Sequence, residues 1–127
     1  MSLTLELVPG TLAICRLAPD APLPPWASVP GPFLTISRTP EELSITLAQE
    51  AVPAGIRCER DYRALRVHGQ LPPNLVGILL SIAKPLAEAG LAIFAISTYD
   101  TDYVLVKLND LPAALNALRE AGHQVSG

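Results

Sequence analysis

Ser97, Thr98, Asp100, Thr101 and Asp102 crowd hydroxyls and carboxylates into one short stretch of the chain. Carboxylates accept hydrogen bonds and neutralise cations, while hydroxyls both donate and accept. Asp100 and Asp102 form an Asp-x-Asp pair of the kind that can hold a hard cation, but two carboxylates without a third ligand are weak grounds for a metal site. The same acids also suit a solvated hairpin turn, where Asp is common. A second group, Asn74 and Gly77, opens an apolar run of helical spacing. The start of a helix offers orphan amides and the positive end of its dipole to an anion. Asn74 equally suits a plain N-cap, and Gly77 the close packing of a helix on a strand.

Nothing in the chain completes a catalytic set. His68 and His123 are the only histidines, and neither stands near a Cys or an acid at metal-ligand spacing. There is no Gly-rich phosphate loop and no serine in a nucleophile-elbow pattern. The expectation is a protein that is not an enzyme and uses no cofactor and no metal. Cys15 and Cys58 read as buried thiols rather than as a disulfide. Tyr62, Tyr99 and Tyr103 read as packing or hairpin-surface residues, and Trp26 as a plug over the core. A net charge of −3 without a basic stripe argues against nucleic acid. Residues 75–96 are the most apolar stretch, but Lys84, Pro85, Glu88 and Gly90 divide it, which argues against a membrane span. Residues 1–10 lack Lys and Arg and do not read as a signal peptide. The expected location is therefore the cytoplasm. Half of the 127 residues are hydrophobic and only 17% are charged, so a core is easily built and apolar surface is left for a partner.

These groups need elements to hold them. Residues 64–69 alternate as a half-buried strand does. Pro72-Pro73-Asn74 interrupts it, and Leu75, Ile78, Leu79, Ile82 and Leu86 follow helical spacing from an N-cap at Asn74 to a stop at Gly90. Pro85 inside that helix removes one hydrogen bond and should weaken or kink its last turn. Residues 91–97 and 102–107 read as strands joined by a polar turn. Asp110 and Pro112 open a second helix whose apolar face is Leu111, Ala114, Leu115 and Leu118, and residues 123–126 add an edge strand. The order is βαββαβ, a ferredoxin-like α+β arrangement. The first half holds strand candidates at residues 4–8, 11–17, 33–39 and 43–47, with a proline-rich stretch at 19–32 that excludes a long helix.

The halves repeat. Residues 34–45 lie over residues 94–105 without a gap, at an offset of 60 (97 − 37), with Ile36 over Ile96, Ser37 over Ser97 and Glu42 over Asp102. Duplication accounts for this register better than two independent hairpins. The proline-rich stretch then stands where the second copy has its first helix.

Asn74-Leu75-Val76-Gly77-Ile78-Leu79, followed by Leu91-Ala92-Ile93-Phe94, resembles the ACT-domain signature. Residues 93–106 and Arg38-Thr39-Pro40-Glu41-Glu42-Leu43-Ser44-Ile45 are similar to small stand-alone bacterial tandem-ACT proteins. That group is related to the cytosolic arginine sensors of animals and to the regulatory part of aspartate kinase. The resemblance implies two tandem ACT folds, with an ACT-like, degenerate, strand-rich half at residues 1–60 and a βαββαβ ACT domain at 61–127. It also implies side-by-side packing of the two copies, binding of a small effector, often an amino acid, and a homo-oligomer, a homodimer. By matching position, Asp102 would contact the effector. The family often has an acid where Asn74 stands, and Pro72-Pro73 is unusual in that loop.

An amino acid presents an ammonium and a carboxylate. Asp102 and Glu42, equivalent in the repeat, would accept from the ammonium if the copies pack side by side. The amides at Asn74 to Gly77 would donate to the carboxylate, with Ser97, Thr98 and Thr101 adding hydroxyls. The alternative is an interaction or assembly protein that binds no small ligand and joins subunits through its sheet edges.

Overall fold

The computed structural model describes residues 1–69, 71–72 and 74–126; Pro73, half of the Pro72-Pro73 break, lies outside the described residues. The strands are β1 (Thr4–Leu7), β2 (Leu12–Leu17), β3 (Leu34–Arg38), β4 (Leu43–Ala48), β5 (Cys58–Val67), β6 (Phe94–Ser97), β7 (Asp102–Lys107) and β8 (Gln124–Ser126). The helices are α1 (Ile78–Glu88) and α2 (Leu111–Glu120), with 3-10 turns at Pro25–Ser28, Gln49–Ala51 and Leu108–Asp110. Among the described residues no helix is long and apolar enough to cross a membrane.

The chain forms two compact units, a central one of Pro9–Tyr62 and a terminal one of Met1–Val8 with Arg63–Gly127. These bounds differ from a division at residues 60 and 61, because β1 leaves the half it begins. It pairs antiparallel with β5, Leu5 opposite Val67 and Leu7 opposite Leu65, and parallel with β8. Leu5 is thereby 1% exposed in the terminal core.

In the central unit the strand order is β3-β4-β2-β5, the 4-1-3-2 order of a ferredoxin-like sheet. Both helix positions are reduced to 3-10 turns. Prolines 19, 22, 24 and 25 explain the first, since each lacks an amide donor and fixes its φ. The Arg38 guanidinium pins this stretch by donating to the carbonyls of Pro19 and Ala21, the latter at 2.8 Å. Ala13, Cys15, Leu43, Ile45 and Leu47 form the core, with Trp26 packed against it as a partly buried cover.

In the terminal unit the order is β6-β7-β5-β1-β8, so β1 is a fifth strand inserted between the fourth and first strands of the ferredoxin-like order. Ile78, Ile82 and Leu86 of α1 and Leu111, Ala114 and Leu118 of α2 lie at helical spacing and cover Leu5, Leu65, Val67, Val104 and Val106. Each such Leu, Ile or Val side chain contributes about 1.5–3 kcal/mol on full burial.

Two expectations for α1 change. The helix begins at Ile78, not at Leu75, because Gly77 holds φ +86 in the left-handed region, which a right-handed helix cannot contain. Gly77 therefore takes the N-cap position, and Asn74 lies too far upstream to cap. A Cβ on Gly77 would meet nothing within 4 Å, so this glycine serves the backbone conformation and not close packing. Asp110 does stand at the N-cap of α2, but its side chain makes no capping bond.

Pro85 is accommodated inside α1 by a distant residue. A proline at 85 leaves the carbonyl of Ser81, four residues back, without its amide donor. His123 supplies one: its Nε2 donates to that carbonyl at 2.8 Å. Its Nδ1 accepts from the Leu3 amide at 3.1 Å, just ahead of β1. His123 is 4% exposed, so the ring closes the unit from inside by one defined tautomer.

Candidate functional site

The β6–β7 hairpin turns through Thr98-Tyr99-Asp100-Thr101. The Thr98 amide donates to the Thr101 carbonyl at 2.9 Å, and the Thr98 hydroxyl donates to the same carbonyl at 3.1 Å. The Thr101 hydroxyl, 4% exposed with its residue, donates to the Val67 carbonyl at 2.8 Å. That bond fixes the turn to the end of β5. On the other side of the turn, the Leu71 amide donates to the Asp100 carbonyl at 2.8 Å. The segment ahead of α1 is thus laced to the hairpin tip.

Between them lies a cavity of about 270 Å³, lined by Leu71, Pro72, Leu75, Ile78 and Thr98 to Asp102. Of the residues anticipated from sequence, Thr98, Thr101 and Asp102 line it. Ser97 does not, but it stands directly opposite Asp102 in the β6–β7 pairing and its hydroxyl donates to Asp102 Oδ1 at 2.6 Å. Ser97 therefore orients the carboxylate. Asn74 and Gly77 flank the lining without joining it. The hydroxyl hydrogens of Thr98 and Thr101 are committed to backbone carbonyls, so as side chains they shape the turn more than they offer donors.

Glu42 belongs to the central unit, and its equivalence to Asp102 does not survive. The β3–β4 hairpin pairs Arg38 with Leu43, whereas β6–β7 pairs Ser97 with Asp102. Both loops hold four residues, and the Thr39 amide donates to the Glu42 carbonyl at 2.9 Å just as Thr98 does to Thr101. The structural offset is therefore 59 (98 − 39), not 60. Glu42 matches Thr101, and Leu43, fully buried, matches Asp102. The identical Ile-Ser pairs favoured the wrong register by one residue, which in a strand reverses the face of every side chain.

Sequence reasoning missed the apolar wall. Helical spacing assigns Leu75 and Ile78 to a helix face, yet with Leu71 they line the cavity. Leu75 remains 45% exposed and Tyr99 93% exposed beside it. Among the described residues no group of three or more His, Cys, Asp or Glu side chains is placed to hold a metal ion.

Comparison with known proteins bears on the fold. A family model described as an ACT domain matches residues 57–120, and a second model, of an N-terminal domain, matches residues 10–55. The human protein CASTOR3P is 28% identical over 99 residues; the match takes in 68% of this chain and 61% of that protein's length. A crystal structure of a protein from Agobacterium tumefaciens is 33% identical, covers 100% of this chain and 95% of its own, and superposes with a TM-score of 0.94. The regulatory subunit of aspartate kinase from Thermus thermophilus is 14% identical with a TM-score of 0.62, covering 92% and 96% of the two chains, a likeness of fold alone.

Proposed function

The chain belongs to the ACT-domain family, and on that premise we propose that its terminal unit is a regulatory module that binds an amino acid in the cavity at the β6–β7 turn. The observation that carries this reading is the meeting of an oriented carboxylate with a small cavity. Ser97 holds Asp102 Oδ1, which leaves the second oxygen to accept from an ammonium group. The first amides of α1, beginning at Ile78 on the cavity wall, have no partner within the helix and donate to a carboxylate. Leu71, Leu75 and Ile78 take up an aliphatic side chain. At about 270 Å³ the space is just below the roughly 300–1,000 Å³ typical of drug-sized ligands, room for an amino acid and not for a nucleotide. In this reading Asp102, Ser97 and the amides after Gly77 carry the binding, Thr98 and Thr101 hold the turn, and neither Asn74 nor Glu42 is required. The protein works without catalysis, in the cytoplasm, by changing its own or a partner's assembly when the effector binds.

The test is calorimetry and thermal shift against the twenty amino acids. A ligand specific to the native state adds about 2.7 kcal/mol of stability at a hundredfold excess over its dissociation constant. One amino acid should shift the wild type and leave Asp102→Ala unmoved. No shift with any of them removes the proposal.

A second reading, an assembly protein without a small ligand, is favoured by β6. Among the described residues this strand pairs with β7 alone and leaves Phe94 44% exposed at the sheet edge. Such an edge is a template for a second copy of the chain, a homodimer. A monomer by light scattering at every concentration tested would exclude it.

A further inference from the structure

In the central unit β2 and β5 run antiparallel with Cys15 directly opposite Cys58. The neighbouring pair carries the hydrogen bond, the Arg16 amide donating to the Arg57 carbonyl at 3.0 Å. Cys15 and Cys58 therefore form a non-hydrogen-bonded pair, in which Cα atoms approach to about 4.5 Å and facing side chains are closest. Disulfides span Cα separations of about 4.4–6.8 Å, so a bridge closes here without shifting the register. Both thiols are free. Their access differs: Cys15 is 1% exposed in the core, while Cys58 is half-buried at its margin.

We propose that Cys15 and Cys58 are a reversible redox modification site, oxidised by peroxide to an intrachain disulfide that ties the first strand of the central unit to its last. The two residues take separate roles. Cys58, the reachable one, attacks the peroxide as a thiolate; the O–O bond breaks, the Cys58 sulfur becomes a sulfenic acid, and hydroxide leaves and takes up a proton as water. Cys15 then attacks the Cys58 sulfur; the S–O bond breaks, the S–S bond forms, and the Cys15 proton leaves with the hydroxide as a second water. Two thiols lose two electrons, and one hydrogen peroxide is reduced to two waters. Burial, reinforced by the facing Cys58, pushes the Cys15 thiol up to about 11, which suits it to resolve the sulfenic acid and not to start the reaction. In a reducing compartment such a bridge is transient, a switch and not a staple.

The test uses the full chain treated with a few equivalents of hydrogen peroxide, then alkylated and read by intact mass and peptide mapping. The expected product is two hydrogens lighter, has lost both titratable thiols, yields a Cys15–Cys58 linked peptide, unfolds at a higher temperature, and reverts with dithiothreitol. Cys15→Ser should stop at a dimedone-reactive sulfenic acid on Cys58. Mapping of the wild type decides the matter by itself if that variant folds poorly. Thiols that both survive peroxide, oxygen accumulating on Cys58 while Cys15 stays alkylatable, or a bridge between two chains would each overturn the proposal.

Discussion

Replacing His123 by Ala is the sharpest test of how the terminal unit is held together. The ring satisfies two backbone groups at once, the Ser81 carbonyl left over by Pro85 and the Leu3 amide ahead of β1. A hydrogen bond contributes about 1 kcal/mol net, but a buried group left unpaired costs about 1–3 kcal/mol. Two such groups, at a site where His123 is 4% exposed, put the loss at about 2–6 kcal/mol, a large share of the roughly 5–15 kcal/mol that stabilises a domain. The attribution to Pro85 is tested by a double-mutant cycle. In Pro85→Ala the residue at 85 regains an amide hydrogen that reaches the Ser81 carbonyl, so His123→Ala should cost about 1–2 kcal/mol less in that background than in the wild type. Urea unfolding of the four proteins reads this directly, provided the m-value is unchanged. Additivity within about 0.5 kcal/mol would refute the reasoning, because Ser81 would then not be the group the two residues share.

Gly77→Ala should lose about 1–2 kcal/mol, the cost of a left-handed conformation for a residue with a Cβ. Gly77→Asn should lose less, since nothing lies within 4 Å of the added carbon and Asn tolerates that conformation; equal losses in the two variants would show that space, not φ, is the constraint. The pH dependence of β1 docking rests on Glu6, whose carboxyl is held below its ordinary value of 4.5 chiefly by its hydrogen bond to His68, with Arg66 adding attraction at 3.3 Å. A lowered carboxylate contributes stability above 4.5 and loses it as pH falls through the folded-state value. The stability gap between wild type and Glu6→Gln should therefore be small, present at pH 6 and shrinking below pH 4.5; a gap that widens with acid would contradict the assignment.

What sequence alone determined is what short-range chemistry determines. The face of α2, the stops at Gly90 and Gly122, the β6–β7 hairpin and the polar turn at its tip each follow from residues within one or two turns of chain. The order of those elements gives the ferredoxin-like α+β class, and the repeated hairpin segment gives the two related halves. Asp102 was legible as a candidate site residue because its neighbours are polar and its position matches a family pattern. Tertiary structure alone decided which strand lies beside which. Strand pairing joins residues far apart in the chain, and β1 carries no local mark that sends it to β5 and β8 and not to β2. The same holds for the cavity wall, which exists because Leu71 bonds to Asp100 across the fold, and for Cys15 facing Cys58. Register was the subtlest loss. Ile-Ser identities pointed to an offset of 60, but hydrogen bonding in the two turns sets it at 59, and that single residue separates a buried leucine from a half-buried acid. The penalty of Pro85 could be read in the sequence; its remedy, His123 arriving at Ser81 from the other end of the unit, could not, since a hydrogen bond depends on where atoms meet in space and not on their distance along the chain.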